Sequence, residues 1–125
     1  MVIGFTGTRK GMSAAQKRQF ADVLLWLIQI CALRHEPISF HHGAARGSDT
    51  EAAFMVEDAD ADVLIVPHPA VADPLVRNRS IANLCSILIA APDGDMEKQR
   101  SGTWATVRYA RAAGRPIVML SRGKS

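Results

Sequence analysis

Three glycine-containing turns hold most of the residues in this 125-residue chain that could do chemistry. "GTRKG", Gly7 to Gly11, sets Arg9 and Lys10 between two glycines. Bare glycine lets the backbone approach a ligand closely, and the two cations suit a phosphate. "GAARGSD", Gly43 to Asp49, offers Gly43, Arg46, Gly47 and the acid Asp49. "PDGDMEKQRSGT" delivers Ser101, Gly102 and Thr103 at the start of a helical pattern. Free backbone N–H groups and the helix dipole favour an anion there. Any one such turn can be no more than a turn. Three at the same edge of one sheet point to an anionic ligand.

The elements that must position these turns are legible from periodicity. "VIGFTG", "ISFHHG", "DVLIVPHP", "SILIAAP" and "PIVMLS" read as five short strands. Between them lie helical patterns, the first capped by Ser13 and the second by Ser48 or Asp49. The third runs from about Leu75 to Cys85, and the fourth from near Gly102 to a stop at Gly114. Strands that are apolar throughout belong to a sheet covered on both faces, and the βαβα alternation makes that sheet parallel. The chain therefore reads as one α/β domain over residues 1–125, a doubly wound, Rossmann-like three-layer sandwich. In such sheets ligands bind beyond the carboxyl ends of the strands, where strand order reverses. All three turns follow strand ends.

Composition narrows the partners. With 48% hydrophobic and 22% charged residues the chain is expected to bury a core without disulfides or metal. A net charge of +3 suits a phosphate-bearing ligand but is too small to argue for duplex DNA. Cys31 and Cys85 fall in apolar patterns and are expected as buried free thiols. The N-terminus enters a strand without a basic leader, so a cytoplasmic location is expected. The apolar run "VLLWLIQICAL" contains Gln29 and is too short for a membrane span. The first helix also carries Leu25, Trp26, Ile30 and Leu33 off its main apolar stripe. That second face is expected either at a homo-oligomer interface or beneath the C-terminal segment.

Several sharper motifs fail. "GFTGTRKG" is not G-x-G-x-x-G, and no acid closes the second strand to read a ribose. The terminal "GKS" lacks the first glycine of a P-loop and cannot be followed by a helix. "DADAD", Asp58 to Asp62, lacks the glycine and glutamate of a calcium loop. His41 and His42 alternate across a strand, so one is expected buried and the other facing a ligand. Neither a metal nor a cofactor is expected.

"IGFTGTR", "HHGAARGSDTEAA", "RNRSIANLCSILIAAP" and "RSGTWATVRYARAAGRPIVML", in that order and spacing, resemble the SLOG superfamily. This Rossmann-like group contains the DNA-processing protein DprA/Smf and the Lonely Guy (LOG) nucleotide phosphoribohydrolases. The resemblance spans nearly the whole chain. Its DprA-like signatures are the closer ones: a Gly-Ser/Thr-Arg turn, "GxAxGxD", "RNRxIA" and an "SGT/S" helix start. It implies a strand order near 3-2-1-4-5 and a pocket for nucleotides or nucleotide-derived signals. Gly7, Thr8, Arg9, Gly43, Gly47, Asp49, Arg77, Asn78, Gly102 and Thr103 would then share one rim.

Departures from the resemblance bear on catalysis. LOG enzymes carry "PGGxGTxxE" and an upstream arginine. Gly102-Thr103 match the "GT" and Arg77 lies at the matching distance, but Asp93 replaces a glycine and Thr106 stands at the glutamate. In N-glycoside hydrolysis a carboxylate activates water or stabilises the developing oxocarbenium ion, and threonine has no charge to offer. Hydrolysis would need Asp49, Glu51 or Asp93 instead. DprA's flanking domains have no counterpart in these residues, so full recombination-mediator activity is not expected.

The leading expectation is therefore binding of a nucleotide or nucleotide-derived ligand, to sense, sequester or deliver it. The first alternative is a LOG-like nucleotide N-glycosidase. The second is DprA-like binding of single-stranded nucleic acid. Such surfaces stack bases on aromatics, yet only 6% of residues are aromatic. Trp104, the one aromatic near the rim, is expected to pack between helix and sheet.

Overall fold

A computed structural model describes residues 1–69 and 73–123. Lys124 and Ser125 of the terminal "GKS" lie outside these described residues. The elements alternate without exception: β1 (Val2–Gly7), α1 (Ala14–Leu33), β2 (Ile38–His42), α2 (Ser48–Asp58), β3 (Val63–Pro67), α3 (Pro74–Leu84), β4 (Ile87–Ala91), α4 (Gly102–Ala112) and β5 (Ile117–Met119). The five strands form one sheet in the order β3-β2-β1-β4-β5. Every pairing is parallel. This is the doubly wound α/β architecture, with the strand order implied by the resemblance.

Successive strand residues face opposite sides, and both sides are filled. On one side Ile3, Phe5 and Ile89 pack with Phe20, Leu24 and Leu27 of α1 and Val56 of α2. Phe5, Phe20 and Phe40 form a ring cluster with centroids 5.5–5.9 Å apart. On the other side Leu88 and Ala90 pack with Ile81 of α3 and Trp104 and Val107 of α4. Trp104 is thus a packing residue, buried between α4 and the sheet. Cys31 and Cys85 are both buried and free.

The helix starts aim the loops. Ser13 and Gln16 close a reciprocal capping box on α1, at 3.1 and 3.0 Å. Gln16 is wholly buried, and its Nε2 donates to the carbonyls of Pro92 (2.8 Å) and Leu120 (3.2 Å). One side chain thereby ties the start of α1 to the chain leaving β4 and β5. Asp73 caps α3 through the Leu75 amide at 2.9 Å, with Pro74 at the first turn. Cys85 lies just past that helix rather than within it.

Two expectations change. Neither Ser48 nor Asp49 caps α2; Gly47 does, at φ +78°, with no side-chain bond to the helix. The two oxygens are engaged elsewhere, Ser48 Oγ donating to the Thr8 carbonyl and Asp49 folding back on the Gly43–Ala45 turn. Nor is one histidine of β2 buried and the other open: both are buried, and each is engaged by a neighbour. His41 Nδ1 lies 2.8 Å from His68 Nε2, and its Nε2 lies 2.9 Å from Ser39 Oγ. His42 Nδ1 accepts from the Ala44 amide at 3.0 Å, which places its proton on Nε2.

The second face of α1 is settled in part. Leu25, Trp26 and Leu33 remain 57%, 59% and 84% exposed, so the described C-terminal segment does not cover them. No helix among the described residues is long and apolar enough to cross a membrane.

The buried histidines imply a pH response. Burial, before any neighbouring charge, lowers the pKa of His41, His42 and His68 from the ordinary 6.5. The folded state keeps them neutral while the unfolded chain takes up protons near pH 6.5. Their contribution is therefore present above that pH and lost as pH falls below it. Asp49 acts oppositely, since its pKa rises in the fold from 3.8 to about 6. In Asp49→Asn, which removes the opposing group, the urea midpoint is expected to fall between pH 7 and 5. The wild-type slope should be shallower. A variant midpoint that is flat or rises on acidification contradicts this account.

Candidate functional site

The chain leaves β1 toward β2 and β3, then returns to place β4 on β1's other side. Gly7 and Ala91, the last residues of β1 and β4, are register partners. Beyond them, at the reversal, opens a cleft of about 410 Å³. Sheet geometry alone puts it there.

Four turns and helix starts build its walls. The β1–α1 loop supplies Gly7, Thr8, Arg9 and Lys10; the β2–α2 turn supplies Gly43, Ala45 and Asp49. From α3 come Leu75, Arg77 and Asn78, and from the start of α4 come Arg100, Ser101, Gly102 and Thr103. Of the residues expected at the site, Gly7, Thr8, Arg9, Gly43, Asp49, Arg77, Asn78, Ser101, Gly102 and Thr103 all line it.

Gly7 admits the second layer of the site. A Cβ at Gly7 would fall on Ser48 Cβ, so α2 can sit against β1 only because that carbon is missing. Ser48 N–H and Oγ then both donate to the Thr8 carbonyl, at 3.1 and 2.6 Å. Gly102 is different. A Cβ there would meet only Asn78 Nδ2, at 3.7 Å, so nothing in the fold requires glycine at this position. Bare backbone faces the cleft at the first turn of α4, where N–H groups have no intrahelical acceptor. Ser101 Oγ takes the Trp104 amide as the helix cap at 3.3 Å.

Arg77 is held rigidly. Its Nη1 donates to the Gly43 carbonyl at 2.9 Å and its Nε to Asn78 Oδ1 at 3.1 Å. Asn78, itself buried, donates onward to the Gly102 carbonyl at 3.5 Å. One line of hydrogen bonds thus joins the β2–α2 turn, α3 and the start of α4. Among the described residues the lining carries Arg9, Lys10, Arg77 and Arg100 against a single acid, Asp49. Lys10 pairs with Asp93 at 2.9 Å, whereas Arg9, Arg77 and Arg100 form no ion pair among the described residues.

Asp49 is 4% exposed. Its Oδ2 accepts from the Gly43 and Ala45 amides at 3.0 and 3.4 Å, while Oδ1 has no partner among the described residues. Burial raises its pKa to about 6, against the lowering pull of those amides and the Arg77 charge. A lining carboxylate that is desolvated and half-satisfied can exchange a proton near neutrality or accept a hydrogen bond from a ligand.

The other expected residues lie off the cleft. Glu51 accepts from the Met12 amide at 2.6 Å and pairs with Lys17 at 3.1 Å, pinning the β1–α1 loop. Asp93 is held by Lys10 and by Lys98 (3.2 Å), which keep its carboxyl below the ordinary range. Thr106 is wholly buried, and its hydroxyl donates to the Gly102 carbonyl at 2.9 Å. Gly47 turns its face to the Arg9 carbonyl, and Arg46 lines an adjoining cavity instead.

Lys10, offered beside Arg9 as a charge for a phosphate, lines the cleft, and so does Arg100, which sequence reasoning passed over although Ser101 next to it was chosen. The charge itself was the available signal. His68 carried no such signal, because its partner His41 is 27 positions away. No group of His, Cys, Asp and Glu suited to a metal ion is found among the described residues. No family model, curated protein or solved structure matches the chain.

Proposed function

We propose that the cleft binds a nucleotide or a nucleotide-derived ligand, in keeping with the SLOG-like order of the motifs around it. The observation that carries this reading is a convergence. Arg9, Arg77 and Arg100, without ion-pair partners among the described residues, surround the open first turn of α4 at the strand-order reversal. A phosphate over Gly102 and Thr103 would meet helix-start amides on one side and guanidiniums on the others. Asn78 and Asp49 would face the sugar or base. The role would be to sense, sequester or deliver the ligand. Calorimetric titration with a panel of nucleoside mono-, di- and triphosphates is expected to find a Kd below about 1 mM, or some −4 kcal/mol. A panel with no binder at that level rejects the reading.

Asp49 favours a second reading, N-glycoside hydrolysis of a nucleotide. Among the described residues it is the one carboxylate in the lining, buried, with an unpartnered Oδ1 and a pKa of about 6. At neutral pH it would activate water or stabilise positive charge on the sugar. This reading expects free base from nucleoside monophosphates, and no release from Asp49→Asn. Release that survives in the variant removes Asp49 from the chemistry.

The face of α1 with Trp26 and Leu33 exposed and Ile30 half-buried supports self-association through these three residues. Sedimentation is expected to show an oligomer that Trp26→Glu dissociates; a monomeric wild type contradicts it.

A further inference from the structure

We infer that the site carries a second anion subsite, built by Arg9, Arg46 and Arg77, so that its ligand bears two phosphate groups rather than one. The inference rests on the nucleotide reading of the main cleft. A second cavity of about 690 Å³ adjoins that cleft, with Arg9, Gly43, Ala45 and Arg77 lining both. Arg46 enters only the second. No acidic residue lines it, and none of its three arginines forms an ion pair among the described residues.

Arginine cannot shed its proton, so three guanidiniums around one cavity repel one another unless an anion lies between them. The turn between them is Gly43-Ala44-Ala45, whose side chains are too small to fill the space. Arg77, fixed by the Gly43 carbonyl and Asn78, stands where the two cavities meet. A ligand with one phosphate over Gly102 would reach past Arg77 to place its second among the arginines. The two phosphates could belong to a pyrophosphate-bridged dinucleotide or to a 5′-phosphorylated, 3′,5′-linked one. The chemistry recognised is the same.

Calorimetry at fixed ionic strength separates the possibilities. The probes are adenosine and guanosine 5′-monophosphates, their 5′-phosphorylated 3′,5′-dinucleotides, and the pyrophosphate-bridged dinucleotides. At least one two-phosphate probe is expected to bind tenfold or more tighter than its monophosphate, and the linkage that gains identifies the source. Arg46→Ala, a change at an exposed side chain, should erase that gain while leaving monophosphate affinity within about twofold. Arg18→Ala removes the same charge from an exposed position of α1 that lines neither cavity, and should keep the gain. A gain that is absent, or that persists in Arg46→Ala, overturns the second subsite while monophosphate binding leaves the nucleotide reading intact. If no probe binds, both fall.

Discussion

Gly47→Ala is expected to destabilise the fold by about 3 kcal/mol or more. Gly47 has φ +78° and ψ −118°, a conformation that L side chains rarely adopt, and strain of that kind costs roughly 1–3 kcal/mol. The added Cβ would also fall on the Arg9 carbonyl and lie 2.9 Å from the Gly11 amide nitrogen. Both contacts are backbone, so neither can swing aside. Overpacking of this sort adds about another 1–3 kcal/mol. The β1–α1 loop and the start of α2 meet at this residue, so any relief of the clash also spreads the cleft. Urea denaturation of Gly47→Ala beside Gly94→Ala tests this. A Cβ at Gly94 meets nothing within 4 Å, and that variant should match wild type. A Gly47→Ala protein within about 0.5 kcal/mol of wild type would contradict the geometry.

Arg77→Ala is expected to weaken nucleotide binding by about 10- to 100-fold, or some 1.5–3 kcal/mol for a charged hydrogen bond lost in a partly buried site. Two effects combine. The guanidinium disappears from the junction of both cavities, and Asn78 loses the donor on its Oδ1. Asp49 should respond as well, because the Arg77 charge is one of the influences holding its pKa down. Carboxyl titration by NMR should find Asp49 shifted upward in the variant. Arg77→Lys should not restore affinity, since an ammonium cannot reach the Gly43 carbonyl and Asn78 Oδ1 together as a planar fork does. Affinity within twofold of wild type in Arg77→Ala would exclude this residue from recognition.

Much of this architecture is legible in the sequence. Apolar runs such as "ILIAA" of β4 and the 3.6-residue spacing of Phe20, Leu24, Leu27 and Cys31 are driven by burial, which acts on every residue of an element and leaves a repeated trace. Ser13 announced the start of α1 because an N-cap is local. The turns were found because glycine at a strand end is a backbone requirement written in one letter.

What escaped depends on contacts between distant residues. Ser48 looked like a cap, but the Thr8 carbonyl, 40 positions away, takes its hydroxyl. One histidine of β2 was expected to face a ligand, yet His41 meets His68 and His42 accepts the Ala44 amide inside its own turn. Glu51 and Asp93 were reasonable candidate acids by proximity to the turns. Lys17, Lys10, Lys98 and the Met12 amide occupy them instead. Among the described residues Asp49 alone of the three kept an unpaired oxygen in the cleft, and the GxAxGxD likeness had already set it on the rim apart from the other two.

The central claim is that one phosphate rests on the first turn of α4. A crystal structure of the protein with a nucleoside monophosphate tests it most directly. The account predicts phosphate oxygens within hydrogen-bond reach of the Gly102 and Thr103 amides, with the Arg77 guanidinium closing over them. A nucleotide bound elsewhere on the surface, or a cleft left empty at saturating ligand, would contradict it.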